Sequence, residues 1–167
     1  MTISAAATRP GVHYLEDLSP GQRFVSAART ITEADVVSFA GLSGDFNVIH
    51  TDAESAKASV YGQRVVYGLL GLSVATGLLD RLGTFSGSAI AMLGIDGWKF
   101  TAPVFIGDTI HLELTIVSVR PSRSKPDRGV VERQFDLVNQ RGEVVQSGRI
   151  DVLVRRDPSR SDGAEKA

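Results

Sequence analysis

The stretch from Val65 to Leu82 constrains this chain more than any other part of it. Its second half, Gly68 to Leu82, reads as a helix of about four turns that is apolar on nearly every face. Such a helix has no stable place on a surface, so other elements must wrap around it. The wrapping material lies downstream. Ala89 to Ile95 is a continuous apolar run of strand length. Ile110, Leu112, Leu114 and Ile116 alternate with Thr109, His111, Glu113 and Thr115. Val131, Arg133, Phe135 and Leu137 alternate with Glu132, Gln134 and Asp136, and Ile150, Val152 and Val154 repeat the period around Asp151 and Leu153. A period of two marks a half-buried strand. Asn139-Gln140-Arg141-Gly142 is a hairpin turn signal, and Pro121 to Gly129 is a connecting loop. No helices alternate with these late strands, which argues against parallel βαβ units. The pattern predicts an α+β fold in which an antiparallel sheet wraps around one buried helix.

Upstream, Thr30 or Thr32 can cap a helix that opens at Glu33-Ala34-Asp35, carries Val36, Val37, Phe39 and Ala40, and stops near Gly41 to Gly44. An irregular polar segment, Gly44 to His50, comes next. A second short helix is expected after Thr51 or Asp52, followed by a loop at Tyr61 to Arg64. At 167 residues the chain is expected to form one domain, residues 13–154, between a flexible segment 1–12 and a disordered tail 155–167. The net charge of -1 argues against nucleic acid as the main partner. With 0 Cys there is no disulfide framework, thiolate metal site or Cys nucleophile. Three widely spaced His give no argument for a metal site. No secretory signal pattern or bilayer-length apolar run is read, so a cytoplasmic protein without membrane contact is expected.

Asp45 and His50 are the pair with chemical potential. A carboxylate and an imidazole five residues apart on an irregular segment can converge on one water, giving a proton acceptor and a group that holds or releases a proton near neutrality. Asn47 between them can orient either. The plainer alternative is that Asp45 makes an Asx turn and His50 is a polar loop residue. Gly68 opens the apolar helix, so its amide is one of the unpaired donors at the positive end of a helix dipole, suited to a developing oxyanion. The alternative there is that Gly68, Gly71 and Gly77 only allow close packing.

Read together, GLSGDFNVIHTDAESAKASVYGQRVVYGLLGLSVATGL resembles the MaoC-like dehydratases, which include the (R)-specific enoyl-CoA hydratases. The signature is Asp45-Phe46-Asn47, His50, Asp52 and Gly68. Tyr14 to Phe24, Trp98-Lys99-Phe100, Pro103-Val104 and Gly107-Asp108-Thr109 add to the likeness, which runs from about Tyr14 to Val154. The resemblance implies the hot-dog fold, a curved antiparallel sheet wrapped around a long central helix, and a homodimer or higher homo-oligomer with sites near the subunit boundary. It implies that Asp45 and His50 are catalytic, with Asp45 the base on a water attacking C3 of a 2-enoyl thioester and His50 managing the proton that reaches C2. It implies that the Gly68 amide holds the thioester oxygen, that Asn47 supports the loop and that Thr76 lies near the pair. No redox or metal cofactor is implied; coenzyme A enters as part of the substrate. Two positions depart from the family pattern. Tyr67 stands where His is common, which bears on thioester positioning and substrate class, and Val48 stands where Pro is common.

Arg64 beside the active segment, and the cluster Arg120, Arg123, Lys125 and Arg128, are candidates for the phosphates of coenzyme A; the plainer reading of the cluster is a solvated loop. Trp98 and Phe100 are expected in the core or lining an acyl tunnel, His111 on the surface or at a dimer contact, and His13 in the tail. The expected activity is reversible hydration of a 2-enoyl-CoA. The rivals are a hot-dog thioesterase attacking the carbonyl carbon, and a non-catalytic acyl-thioester binding protein.

Overall fold

Thr32 starts the first helix, α1 (Glu33–Ser43), through a capping box: its Oγ1 accepts from the Asp35 amide at 3.4 Å, and Asp35 Oδ2 accepts from the Thr32 amide at 2.8 Å. Gly44 ends it with a φ of 73°, a left-handed cap that glycine adopts without steric cost. The computed structural model describes residues 11–161. Before α1 lie a 3-10 turn (Leu15–Asp17) and two short strands, β1 (Arg23–Val25) and β2 (Arg29–Thr30). After it come α2 (Val48–Thr51), α3 (Ala53–Lys57) and α4 (Gly68–Arg81). Four long strands follow, β3 (Ala89–Phe100), β4 (Thr109–Pro121), β5 (Arg128–Asn139) and β6 (Val144–Arg155), then a short α5 (Pro158–Ser161).

The strands form one antiparallel sheet in the order β1-β4-β5-β6-β3, with β2 also on β4. The inward phase of β4, Ile110, Leu112, Leu114 and Ile116, meets Leu70, Val74, Ala75 and Leu78 of α4 in one core with Val131, Phe135 and Leu137 of β5. This is the predicted α+β arrangement of a sheet around a helix. Its basis is a register in which every inward β4 residue is nearly sealed from water.

Three differences from the expected layout have physical causes. The central helix is not enclosed all round. Leu69 is 60% exposed and Ser73, Thr76 and Gly77 face outward, because a single sheet covers only one side of a helix. β3 runs on to Phe100, through register shifts between Ala89/Ala91, Met92/Gly94 and Asp96/Lys99 that break the alternation a reader looks for. It is the free edge of the sheet, and Met92, Leu93 and Ile95 are exposed along it. The expected disorder does not begin at Arg155, which closes β6 and donates its amide to Ser88 O at 2.8 Å. Beyond it, Arg156 Nε donates to Glu16 Oε1 at 2.6 Å, the Asp157 amide to Glu16 Oε2 at 3.0 Å, and Arg160 to Asp17 at 3.0 Å. His13 likewise is held, its amide bonded to Thr84 O and its ring edge-on to Phe24. The expectations for residues 1–10 and 162–167 lie outside the described residues. Among the described residues no helix is long and apolar enough to cross a membrane.

Candidate active site

The loop after α1 is built by its own side chains. Ser43 Oγ accepts from the Asp45 amide at 3.2 Å, Asp45 Oδ1 from the Asn47 amide at 3.1 Å, and Asn47 Oδ1 from the Ile49 amide at 3.3 Å. The Asx turn offered as the plain alternative for Asp45 is therefore present, and it leaves Oδ2 without a partner among the described residues. Asn47 is the N-cap of α2, so His50 sits on a short helix and not on an irregular segment. That helix is one turn long, too short for periodicity to reveal.

His50 is 9% exposed, and its Nδ1 lies 2.7 Å from Val65 O. A carbonyl only accepts, so Nδ1 carries the proton and Nε2 is the nitrogen left to exchange one. The Val65 amide returns a bond to Ile49 O at 3.1 Å, which fixes α2 against the segment leading into α4. Tyr67 ties the pair together. Its ring lies 3.9 Å from the His50 ring, centroid to centroid, and its hydroxyl donates to the Asp45 carbonyl at 2.6 Å. Phe39 of α1 also packs against the Tyr67 ring, at 5.1 Å between centroids. Burial, and then the nearby negative charge of Asp45, raise the Tyr67 hydroxyl above its usual pKa, so it stays a donor throughout the neutral range.

Gly68 follows directly and opens α4. The first amide bonded within the helix is that of Gly71, to Tyr67 O at 3.2 Å. The Gly68 amide has no acceptor among the described residues and points from the positive end of the helix. Two neighbours fix that end. Gln146 of β6 donates Nε2 to Gly68 O at 3.1 Å, and its Oε1 accepts from Trp98 Nε1 at 3.3 Å. Phe100 lies over Gly68, where a Cβ would come within 2.7 Å of the ring. An unpaired amide, an imidazole with one free nitrogen and a carboxylate with one free oxygen thus share one end of the molecule, joined by Tyr67.

Two expected residues are placed elsewhere. Thr76 is two turns further along α4, roughly 12 Å from Gly68 at 1.5 Å per residue. Its Oγ1 donates to Ser73 O, and it lines a separate cavity. Eight residues are about 2.2 turns, so Thr76 is displaced from Gly68 both along the helix and around it. Arg64 is ion-paired with Glu33 at 2.9 Å, which anchors the loop before Val65 to the start of α1. In the basic cluster, Arg128 is engaged by Asp127 at 2.7 Å. His111 lies 3.5 Å from Glu113, which also pairs with Arg23.

The model of the MaoC-like domain matches residues 17–136. The chain belongs to the MaoC-like dehydratase family. The MaoC protein of Klebsiella aerogenes is 42% identical over 102 residues, which are 61% of this chain and 30% of that protein, so the chain corresponds to only part of that relative. An (R)-specific enoyl-CoA hydratase of Rhodospirillum rubrum is 36% identical over 112 residues, 67% of this chain and 75% of the relative. A Mycobacterium tuberculosis protein described as a double hot-dog fold superposes with a TM-score of 0.78 over 90% of this chain and 46% of its own, at 19% identity. The sheet wrapped around α4 is thus the hot-dog fold.

Both departures from the MaoC-like pattern acquire a place. Val48 is the first residue of α2, where the amide has no helical partner and the proline common at this position would lose nothing. Tyr67 bridges Asp45 and His50 by its hydroxyl and its ring. Two residues that sequence reasoning passed over also matter to this MaoC-like domain. Gln146 and Arg133 are polar side chains in the inward phases of β6 and β5, 2% and 3% exposed. The signal was their phase: a polar residue standing where alternation demands an apolar one.

Proposed function

We propose that this chain catalyses the reversible hydration of a 2-enoyl-CoA to the (R)-3-hydroxyacyl-CoA. The observation that carries the reading is the single assembly of Asp45, His50 and Tyr67 beside the unpaired Gly68 amide. In this reading a water lies between Asp45 Oδ2 and His50 Nε2. Asp45 takes its proton as the oxygen bonds to C3. The electrons of the C2–C3 double bond move toward the thioester carbonyl, whose oxygen gains enolate charge at the Gly68 amide. For this step His50 carries a proton on Nε2 as well as on Nδ1 and gives the Nε2 proton to C2; the proton taken by Asp45 then passes to Nε2, which resets the pair, and dehydration is the reverse. Water is the only co-reactant and no electrons are transferred, so the balance needs no redox cofactor. Proton transfer of this kind contributes about 10²–10⁴-fold and an oxyanion donor about 10²–10³-fold.

The hydratase relative from Rhodospirillum rubrum supports the same reaction class. The partner reading is a homodimer joined along the β3 edge. Its support is a free sheet edge with Met92, Leu93 and Ile95 exposed on it, an arrangement that isolated proteins seldom leave open.

The test is incubation of the purified chain with crotonyl-CoA. Loss of the conjugated enoyl absorbance without release of free thiol is expected, falling at least 100-fold in Asp45→Asn and in His50→Gln. Thiol release would identify a thioesterase, and binding without turnover a carrier. Full hydration by either variant refutes the assignment.

A further inference from the structure

Arg133 is a buried cation without an anion. It stands on β5 between Val131 and Phe135, on the face that packs toward α4, and is 3% exposed. Its Nε donates to Ile150 O at 3.0 Å. Phe85 and Phe135 lie against the guanidinium at 4.9 and 5.2 Å. No carboxylate of the described residues comes within ion-pair distance. Asp151 attracts it only from the outward phase of β6. An arginine has five N–H donors, and the four on its terminal nitrogens have no acceptor among the described residues. Those nitrogens are not sealed in the core, where Ser88 Oγ is the buried side-chain atom left without a partner among the described residues; they open onto a cavity.

The cavity that Arg133 lines is about 350 Å³, and its other walls include Thr76, Leu79, Phe85, Ile150 and Val152. Asp80 stands at its exposed side on α4 and makes no ion pair with Arg133. An apolar chamber with one forked cation inside suits one chemistry. A carboxylate matches the fork with two parallel hydrogen bonds and neutralises a single positive charge, whereas a dianionic phosphate would leave excess charge buried.

We propose that this cavity is a carboxylate site, in which Arg133 takes the anionic end of a short apolar chain. That acid has two sources: the far end of a dicarboxylic acyl thioester, or a free carboxylic acid. The first rests on the hydratase reading, since Gly68 opens the same helix on which Thr76 and Leu79 stand. The second does not depend on it.

The test uses the full chain. By calorimetry, hexanoate is expected to bind at least tenfold tighter than hexanamide, and Arg133→Met is expected to erase that preference. Arg133→Lys, which keeps the charge without the fork, should fall between. If Arg133→Met fails to fold by circular dichroism, Leu79→Phe, which fills the cavity from α4, should show the same loss. Equal affinity for acid and amide, or a preference that survives in the folded variant, overturns the proposal. The source is read from kinetics on ten-carbon 2-enoyl-CoAs with and without a terminal carboxylate. A tenfold kcat/KM advantage of the diacid, lost in Arg133→Met, assigns the acid to the substrate. Equal kcat/KM with hexanoate binding intact assigns it to a free ligand. If no enoyl-CoA is turned over, the hydratase reading fails, and the hexanoate comparison still decides the site.

Discussion

Gly71→Ala should damage this protein although it improves the local helix propensity. Gly71 is buried on α4, and a Cβ there would lie 2.8 Å from Gln146 Cδ and 3.0 Å from its Oε1. The amide of Gln146 cannot yield without giving up its bonds to Gly68 O and from Trp98 Nε1. Two such bonds are worth about 1 kcal/mol each, and crowding a packed site adds about 1 kcal/mol or more. Replacing glycine within a helix returns about 1 kcal/mol. The net is a loss of about 2 kcal/mol, or about 4–8 °C in Tm for a domain of this size. Gly77, six residues along, has open space at its Cβ, so Gly77→Ala should stabilise by up to about 1 kcal/mol. Thermal and urea unfolding of both variants tests the contrast. Crotonyl-CoA hydration should fall about tenfold in Gly71→Ala alone, because the strap that holds the Gly68 carbonyl is displaced. Adding Gln146→Ala removes the obstacle, so the double variant should be more stable than the sum of the single effects predicts. Strict additivity, or equal behaviour of the two glycines, would refute the reasoning.

Tyr67→Phe should cost about 1 kcal/mol, since the Asp45 carbonyl loses its donor, and should lower kcat with little change in KM; unchanged kcat would remove Tyr67 from the positioning of the pair. Burial pushes Asp108 up, but Gln140, the Phe105 amide and Arg141 outweigh it and hold its carboxyl below the usual range. Its contribution is therefore complete above the ordinary carboxylate pKa of about 4 and disappears as pH falls through its lower folded value. Unfolding of Asp108→Asn should accordingly be flatter on the acid side than that of the unaltered protein. Burial lowers Arg133 to about 10, a penalty of about 3 kcal/mol that is present throughout neutral pH and fades as pH rises through that value. Arg133→Met should therefore raise Tm without ligand, and a lower Tm in a folded variant would show that the charge is compensated inside the protein.

How far the sequence speaks depends on how often a residue repeats its message. The sheet was legible because β4 says the same thing four times, at Ile110, Leu112, Leu114 and Ile116, and no single exception changes the phase. α1 was legible because Thr32 and Asp35 reciprocate across one turn. The pair Asp45 and His50 could be picked out by chemistry, but their closeness could not: it comes from Tyr67 and Val65, residues beyond a loop whose path no local pattern encodes. β3 was half read because its register shifts break the period. Thr76 was expected near the pair from the family resemblance alone, and in this chain it stands two turns beyond Gly68 on the wall of another cavity. Alternation also conceals its own exceptions. Reading Val131, Arg133, Phe135 and Leu137 as one inward row is correct, and that correctness is what makes Arg133 informative. A strand that must bury three apolar residues carries the fourth inside with them, charge included. The core could be filled by an aliphatic side chain at that position, and burying the guanidinium costs stability. A cation held there against that cost, its terminal nitrogens facing a cavity and no carboxylate of the described residues at ion-pair distance, argues for a ligand that supplies the missing charge.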